Sequence, residues 1–308
     1  MKNYVYFRDK LTPQDDANVS VSSSLAQYGL NVFEGIRAYA NTLEDQLFIF
    51  RLKDHVERLL RSAKLLRFEV PESFSVESIM TCVRDLIIAN ELKDDSYIRV
   101  TLFVDNDSGW SSSSPVSLII NCSPKGRSFT DITGLSCNVS SWKRISDTSF
   151  PPRIKAGPNY LNSRLALLDA KQGGYDYPIM LNEASNVAEG PGACLFIVRD
   201  KCLVTPSVNS SILESITRDT IIDIAKRKFS YDVVERTVDR TELYIADEVF
   251  FVGTAIEVKP VHSIDGISIN GGFTGSFFNS LHEAYFRIVR GCESYEDWLY
   301  PIYANNEG

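Results

Sequence analysis

The chain has 308 residues, which is long enough for two domains with separate hydrophobic cores. Its hydrophobic fraction of 44% and charged fraction of 23% are typical of a soluble globular protein, and its net charge of −8 argues against a nucleic-acid-binding surface. The N-terminus lacks the apolar core of a signal peptide, and no apolar run is long enough to span a membrane.

Cysteine and histidine patterns exclude several kinds of site. The six cysteines form no Cys-x-x-Cys pair and no short disulfide framework, which predicts reduced thiols and a cytoplasmic protein. His55, His262 and His282 lie far apart without ligand spacing, so the sequence predicts no metal site.

The N-terminal part of the chain alternates between predicted strands and amphipathic helices. Strands are predicted at residues 4–7, 19–21, 28–39, 48–50, 97–104 and 116–121. A bulge is expected at Gly35, because glycine interrupts an otherwise aromatic and apolar run. Helices are predicted at residues 51–67 and 76–90.

The strand at 97–104 carries polar residues on one face. Its period of two places Tyr97 and Arg99 on one face, opposite the core residues Ile98 and Val100.

The sequence Ser-Pro-Lys-Gly-Arg-Ser at 123–128 has the composition of a linker. We therefore predict a small N-terminal domain at 1–122, a linker at 123–133 and a larger C-terminal domain at 134–308. Helices in the latter are predicted at residues 161–172, 217–229 and 275–289.

Lys155 lies in a turn of small residues, Lys-Ala-Gly-Pro. A lysine in such a turn can reach a cavity and act as a nucleophilic amine towards carbonyls, including that of pyridoxal phosphate. Glu189, in Glu-Gly-Pro-Gly, could keep the ring nitrogen of that cofactor protonated. Taken alone, each residue also fits an ordinary solvated position.

Two further segments can bind an anion. Ile216-Thr217-Arg218 opens a predicted helix, and the first N–H groups of a helix bind phosphate. Gly253-Thr254-Ala255 follows a buried strand and offers a second set of donors, although a purely structural turn would look the same.

The chain resembles the branched-chain aminotransferase family, the fold-type-IV pyridoxal phosphate enzymes. The four segments described above, together with residues 28–39, occur in the order found in that family. The matching segments cover nearly the whole chain and are residues 28–39, 155–160, 189–192, 216–219 and 253–255. The resemblance implies an α+β protein of two domains, with a small N-terminal α/β domain and a larger C-terminal pseudo-barrel domain.

The resemblance also implies roles for individual residues. Lys155 would anchor pyridoxal 5'-phosphate and move the substrate proton, Glu189 would face the ring nitrogen, and Tyr160 would hydrogen-bond the ring hydroxyl. The cofactor phosphate would be bound by Arg58, Ile216, Thr217 and Thr254. The substrate would be bound by Tyr28, Phe33, Tyr97, Arg99, Thr254 and Ala255. Without the resemblance, Arg58 would be interpreted as a solvated residue beside the apolar stripe of its helix.

The implied function is that of a homodimeric cytoplasmic aminotransferase. It would transfer the amino group of an L-amino acid, preferably leucine, isoleucine or valine, to 2-oxoglutarate, giving a 2-oxo acid and L-glutamate. Alternatives are a D-amino acid or amine transaminase, an aminodeoxychorismate lyase, or a specialised-metabolism aminotransferase with another donor. A non-enzymatic relative is disfavoured because Lys155 is present.

The chain departs from the family pattern around an intact catalytic set. The departures are Gln27, Val100, Pro158, Cys194 and Ser215. Pro158 removes one N–H and stiffens the turn that follows Lys155.

Overall fold

The computed structural model of the chain describes residues 3–127, 133–295 and 297–303. The helices in these ranges are α1 (Ser24–Tyr28), α2 (Leu52–Leu65), α3 (Val76–Ala89), α4 (Asn159–Gln172), α5 (Ile216–Phe229) and α6 (Ser276–Val289). Short 3₁₀ helices lie at Gln14–Asp16, Arg240–Ile245 and Asn270–Gly272. The strands are β1 (Tyr4–Phe7), β2 (Lys10–Pro13), β3 (Asn31–Asn41), β4 (Gln46–Phe50), β5 (Ser96–Val104), β6 (Val116–Pro124), β7 (Leu135–Val139), β8 (Tyr177–Ile179), β9 (Cys194–Arg199), β10 (Cys202–Pro206), β11 (Asp232–Arg236), β12 (Glu248–Gly253), β13 (Glu257–Ile264), β14 (Ile267–Ser268) and β15 (Leu299–Pro301).

Two compact units divide the chain. The first contains the described residues of 1–126, 154–157 and 287–308, and the second contains those of 127–153 and 158–286. The first unit thus includes the Lys155 turn and a C-terminal segment, which lie beyond the boundary predicted at 123–133. No helix in the described ranges is both long and apolar enough to cross a membrane.

The first unit is built on a seven-stranded sheet with the order β15-β4-β3-β5-β6-β1-β2. Neighbouring strands in this sheet are antiparallel. Helix α2 packs against β3, and α3 packs against α2, β1 and β6. Both helices bury the apolar stripe from which they were predicted, including Val56, Leu59, Val83 and Leu86.

The strand predicted at 19–21 is wrong. Val21 lies in a turn with its side chain 82% exposed, because a Val-Ser-Val alternation is too short to require a buried face. The partner of β1 is instead β2, in a tight hairpin with Phe7 opposite Lys10.

The start of the predicted strand at 28–39 is also wrong. Ser23 caps the short helix α1 by accepting a hydrogen bond from the N–H of Ala26, and Tyr28 is the last residue of that helix. Gly29 ends the helix with φ 67°, a left-handed conformation that favours glycine. Strand β3 therefore begins only at Asn31.

The second unit is built on an eight-stranded sheet. Seven strands follow the order β11-β10-β9-β12-β13-β7-β8, and β14 pairs with β13 beside this path. The pairs β10–β11, β13–β7 and β7–β8 are parallel. Helix α4 packs against β8, and α5 packs against β11 and β12. The presence of two sheets with packed helices confirms the predicted α+β class.

Candidate active site

The turn that carries Lys155 is fixed to the first residues of β3. The N–H of Phe33 donates to the backbone oxygen of Lys155 at 2.9 Å, and Val32 forms a bridge with Ala156. The N–H of Lys155 donates to Ser62 Oγ of α2 at 3.2 Å. Strand β4 pairs only with the far end of β3, from Ala38 onwards, so the turn occupies an edge that β4 does not cover.

Two cations lie against the ring of Phe33. The guanidinium carbon of Arg99 is 3.6 Å from the ring centroid, and the Nζ of Lys155 is 5.0 Å from it. The register of β3 and β5 accounts for this proximity, because it pairs Gly35 with Arg99 and Phe33 with Thr101. Paired residues of an antiparallel sheet share a face, so Phe33 and Arg99 project to the same side.

Gly35 shows why Tyr97 belongs to this face. A Cβ at Gly35 would lie 2.1 Å from Tyr97 Oη and 2.8 Å from Cζ. The strand register continues without a shift through Gly35, so the predicted bulge is wrong. The glycine is instead required because the phenol ring of Tyr97 lies directly over its backbone.

Tyr28 lies at the end of α1, in the same unit. Its side chain is 49% exposed and makes no hydrogen bond or ring contact with the described residues. The contacts within the first unit therefore join Phe33, Tyr97, Arg99 and Lys155, and leave the hydroxyl of Tyr28 open to a ligand.

A buried ionic network lies on the other face of β3. Glu34 is fully buried and accepts hydrogen bonds from Arg58 Nε at 2.7 Å and Arg58 Nη2 at 2.8 Å. His55 Nδ1 lies 2.7 Å from the second carboxylate oxygen. Burial raises the pKa of Glu34, but the charge and hydrogen bonds of Arg58 and the contact with His55 outweigh it, and the pKa falls to about 2. Burial lowers the pKa of His55 despite the opposing effect of Glu34, so the neutral ring donates Nδ1–H.

This network corrects the interpretation of Arg58 that the sequence suggests without the resemblance. Arg58 is buried rather than solvated, and His55 bonds the same carboxylate from within α2. Sequence reasoning missed Glu34, although a glutamate within the apolar run Val-Phe-Glu-Gly-Ile indicates a buried partner.

In the second unit, Glu189 is buried and forms an ion pair with Arg144. Only 3% of Glu189 is exposed, and its Oε1 accepts hydrogen bonds from Arg144 Nε at 2.8 Å and the N–H of Leu213 at 3.2 Å. Cys194 Sγ lies 3.6 Å from Oε2. Burial and the nearby Glu189 raise the pKa of the Cys194 thiol, which keeps it protonated. Sequence reasoning missed Arg144, because no local pattern links it to a residue 45 positions later.

A small, open pocket lies beside this ion pair. Tyr160, in the first turn of α4, lines it together with Glu189 and Gly192. The N–H of Gly192 donates to Tyr177 Oη at 3.1 Å, which fixes the Glu-Gly-Pro-Gly turn. The pocket thus presents a phenol and a buried, paired carboxylate to whatever it binds.

The two predicted anion-binding segments have the expected local structure. Helix α5 begins at Ile216, and Ser215 caps it by accepting the N–H of Arg218 at 3.2 Å. Thr217 is buried, whereas the side chain of Arg218 is engaged by Glu235 at 2.7 Å. Thr254 and Ala255 lie in the three-residue turn between β12 and β13, where Gly253 pairs with Glu257.

The donor set fits pyridoxal phosphate. Glu189, buried and beside a pocket with Tyr160, suits a protonated ring nitrogen, and the start of α5 suits a phosphate. Within the described ranges, no group of three or more His, Cys, Asp or Glu side chains is arranged to hold a metal ion.

A lysine in a turn of small residues, and a buried, paired carboxylate beside a pocket that a phenol lines, are groups typical of a cofactor-dependent enzyme, and comparison with known proteins agrees. The family model for "Amino-transferase class IV" matches residues 31–264. A probable branched-chain-amino-acid aminotransferase of Aquifex aeolicus is 38% identical over 98% of this chain and 97% of its own length.

Solved structures agree as well. A branched-chain aminotransferase of Thermoproteus uzoniensis, solved with norvaline, is 39% identical with a TM-score of 0.91, covering 98% of this chain and all of its own. The enzyme of Thermobaculum terrenum in its pyridoxal phosphate form is 38% identical with a TM-score of 0.93, covering 98% of this chain and 99% of its own. The chain belongs to the class IV aminotransferases, has their type-IV fold, and is an aminotransferase.

Proposed function

We propose that this aminotransferase uses pyridoxal 5'-phosphate to transfer the amino group of a branched-chain L-amino acid to 2-oxoglutarate, giving a 2-oxo acid and L-glutamate. The observation that carries the proposal is the buried Glu189, paired with Arg144 beside a pocket that Tyr160 lines. The pyridoxal phosphate form of the Thermobaculum terrenum enzyme supports the choice of cofactor.

Lys155, Glu189 and Tyr160 would hold the reactive part of the cofactor. When bound, the cofactor supplies a carbonyl that takes up the amino group and a ring that accepts the electrons left at the substrate Cα. The Nζ of Lys155 would anchor the cofactor carbonyl and would be the base that takes the proton from the substrate Cα. Glu189 would accept a hydrogen bond from the ring nitrogen, and Tyr160 would bond the ring hydroxyl.

The phosphate would be bound by Arg58, Ile216, Thr217 and Thr254. The start of α5 supplies backbone N–H groups, and Thr217 and Thr254 add hydroxyls. Arg58 contributes through a guanidinium whose orientation is fixed by two hydrogen bonds to Glu34.

The substrate would be bound by Tyr28, Phe33, Tyr97, Arg99, Thr254 and Ala255. Phe33 and the faces of the tyrosines accept an apolar side chain. Arg99, with the hydroxyls of Tyr28 and Tyr97, pairs the distal carboxylate of glutamate or 2-oxoglutarate, which could not be buried unpaired. The hairpin turn at Thr254–Ala255 receives the α-carboxylate through backbone N–H groups.

We also propose that the enzyme is a cytoplasmic homodimer. The six cysteines are all free thiols. Helix α4 exposes 66% of Leu161, 44% of Leu165 and 49% of Leu168, which lie on one helical face that a second copy would cover. Leu161→Glu combined with Leu165→Glu should then give monomers in light scattering, whereas a dimer of unchanged mass would exclude this face.

A panel of half reactions tests the proposed function. The protein loaded with pyridoxal phosphate is mixed with L-leucine, L-isoleucine, L-valine, L-glutamate, D-alanine, D-glutamate and a primary amine, and the visible cofactor band is followed. Rapid loss of the band with the branched L-amino acids and L-glutamate is expected. Reaction only with D-amino acids or the amine would contradict the proposal, and release of pyruvate from aminodeoxychorismate would indicate the lyase.

A further inference from the structure

The carboxylate of Glu189 is held unequally at its two oxygens. Oε1 accepts two N–H donors, from Arg144 at 2.8 Å and from the backbone of Leu213 at 3.2 Å. Among the described residues, the one hydrogen-bond partner of Oε2 is the thiol of Cys194, with Sγ at 3.6 Å. Because a thiol is a weak donor, Oε2 retains most of its capacity to accept a hydrogen bond.

Arg144 forms an ion pair with this carboxylate. Its side chain is only 8% exposed, and within the described ranges Glu189 is its ion-pair partner. Its Nη1 is buried and has no hydrogen-bond partner among the described atoms. Burying an unpaired carboxylate costs free energy of folding. The positive charge of Arg144 offsets this cost for the buried carboxylate of Glu189.

The same three residues border one pocket. Arg144, Glu189 and Cys194 line it together with Tyr160 and Gly192. A ligand in this pocket therefore meets a carboxylate whose first oxygen is already saturated and whose second is not.

We propose that Arg144 is a positioning residue, which holds Oε1 of Glu189 so that Oε2 faces the ring nitrogen of the cofactor. The inference rests on the proposed use of pyridoxal phosphate. Cys194 orients Oε2 without competing for it, since its S–H is a weaker donor than a ring N–H. Arg144 acts through Glu189 and takes no direct part in moving the substrate proton.

The alternative is that Arg144 only connects the segment before Lys155 to the second sheet. Both roles predict a loss of stability in Arg144→Met, but they differ in the cofactor spectrum. A positioning role predicts that the visible band of the lysine-bound cofactor and its pH dependence change, because the ring nitrogen loses an oriented anion. A purely structural role leaves both unchanged once the protein is folded and loaded.

The experiment compares loaded wild type, Arg144→Met, Arg144→Lys and the control Arg236→Met. Arg236 forms an ion pair with Glu242 in the same unit, so the control removes an arginine–glutamate pair elsewhere. Each protein is titrated with pH by absorbance, and its leucine half reaction is timed. Arg144→Met should shift the absorbance titration and slow the half reaction about 10-fold or more. Arg144→Lys should recover part of both, and the control should match wild type.

An Arg144→Met protein that matches wild type in titration and rate would overturn the inference. If that variant does not fold, Arg144→Gln decides, because it also removes the charge, and an unshifted titration with an unchanged rate again overturns the inference. These results are separable from failure of the proposed function, in which wild type itself would show no lysine-bound cofactor band.

Discussion

Arg99 lies over the ring of Phe33, and this contact bears on how one site could accept two unlike substrates. The guanidinium carbon is 3.6 Å from the ring centroid, so the cation is held in place before any substrate arrives. The same stacking means that Arg99→Ala would remove both a charge and a wall of the site.

Arg99→Met separates these two effects, because it keeps bulk over Phe33 and removes the charge. The glutamate half reaction should slow by about 10–100-fold, which is the worth of a lost charge-assisted hydrogen bond, while the leucine half reaction changes little. Stopped-flow absorbance of both half reactions measures this. Equal losses with both substrates would mean that Arg99 has a structural role.

Glu189→Gln tests the carboxylate itself. The amide keeps the shape but cannot hold a proton on the ring nitrogen, so proton removal from Cα should slow far more than substrate binding weakens. The measurement is kcat and KM with the best amino donor. A kcat within about threefold of wild type would assign Glu189 a structural role beside Arg144.

Strand β3 joins two environments through its alternation. Gly35 faces Tyr97 while Glu34 faces α2, so one strand contributes to both the proposed substrate side and the buried network. Gly35→Ala should displace the Tyr97 ring and lower the free energy of unfolding by about 1–3 kcal/mol, the usual cost of overpacking. Gly126→Ala is the matched control, because its Cβ would meet no atom within 4 Å. Urea unfolding of both variants measures the difference in their free energies of unfolding. Equal stability of the two would show that the Tyr97 ring can move aside at no cost in free energy.

The Glu34 network should make the stability depend on pH in a defined direction. The pKa of Glu34 falls from 4.5 to about 2 on folding, so its contribution is present above pH 4.5 and is lost as the pH falls towards 2. His55 acts in the same direction but earlier, because its pKa is also lowered from 6.5 and the unfolded chain takes up the proton first. Unfolding free energy should therefore decline from about pH 6.5 downwards.

Glu34→Gln tests whether Glu34 causes the decline of the unfolding free energy between pH 4.5 and 2. It leaves Arg58 buried without its carboxylate and should cost about 3–5 kcal/mol at neutral pH. The decline between pH 4.5 and 2 should also become shallower, as measured by urea unfolding at a series of pH values. Glu57→Gln on the exposed face of α2 is the control. A pH profile identical to that of wild type would refute the assignment of the acid sensitivity to Glu34.

The same network alters how Arg58 must be tested. Arg58→Ala would leave Glu34 buried without its ion-pair partner as well as remove a proposed phosphate ligand, so weaker cofactor retention would have two causes. Glu34→Gln combined with Arg58→Met removes both charges, and comparison with each single variant isolates the phosphate contribution.

Across the whole molecule, periodic segments were predicted well. Helices α2, α3 and α5 and strand β5 bury long apolar patterns, which decide both type and position. The errors fall on short segments, such as Val19–Val21 and the residues of α1, where a cap and a single glycine determine the conformation. Local sequence carries little signal for such elements.

The site was predicted only in part, for a related reason. Alternation along β5 placed Tyr97 and Arg99 on one face, and the register with β3 brings Phe33 beside them. Partners distant in sequence, such as Arg144 for Glu189 and Glu34 for Arg58, depend on tertiary packing and leave no local pattern. Roles that involve the cofactor and substrate remain predictions.

Lys155 is the residue that we propose carries pyridoxal phosphate in this aminotransferase. Borohydride reduction of the loaded protein, followed by peptide mass spectrometry, tests this assignment, with Lys155→Ala as the control. A phosphopyridoxyl group is expected on the peptide that contains Lys155 and nowhere in the variant, which should also lose several orders of magnitude in turnover. A reduced cofactor found on another lysine, or normal transamination by Lys155→Ala, would contradict this assignment.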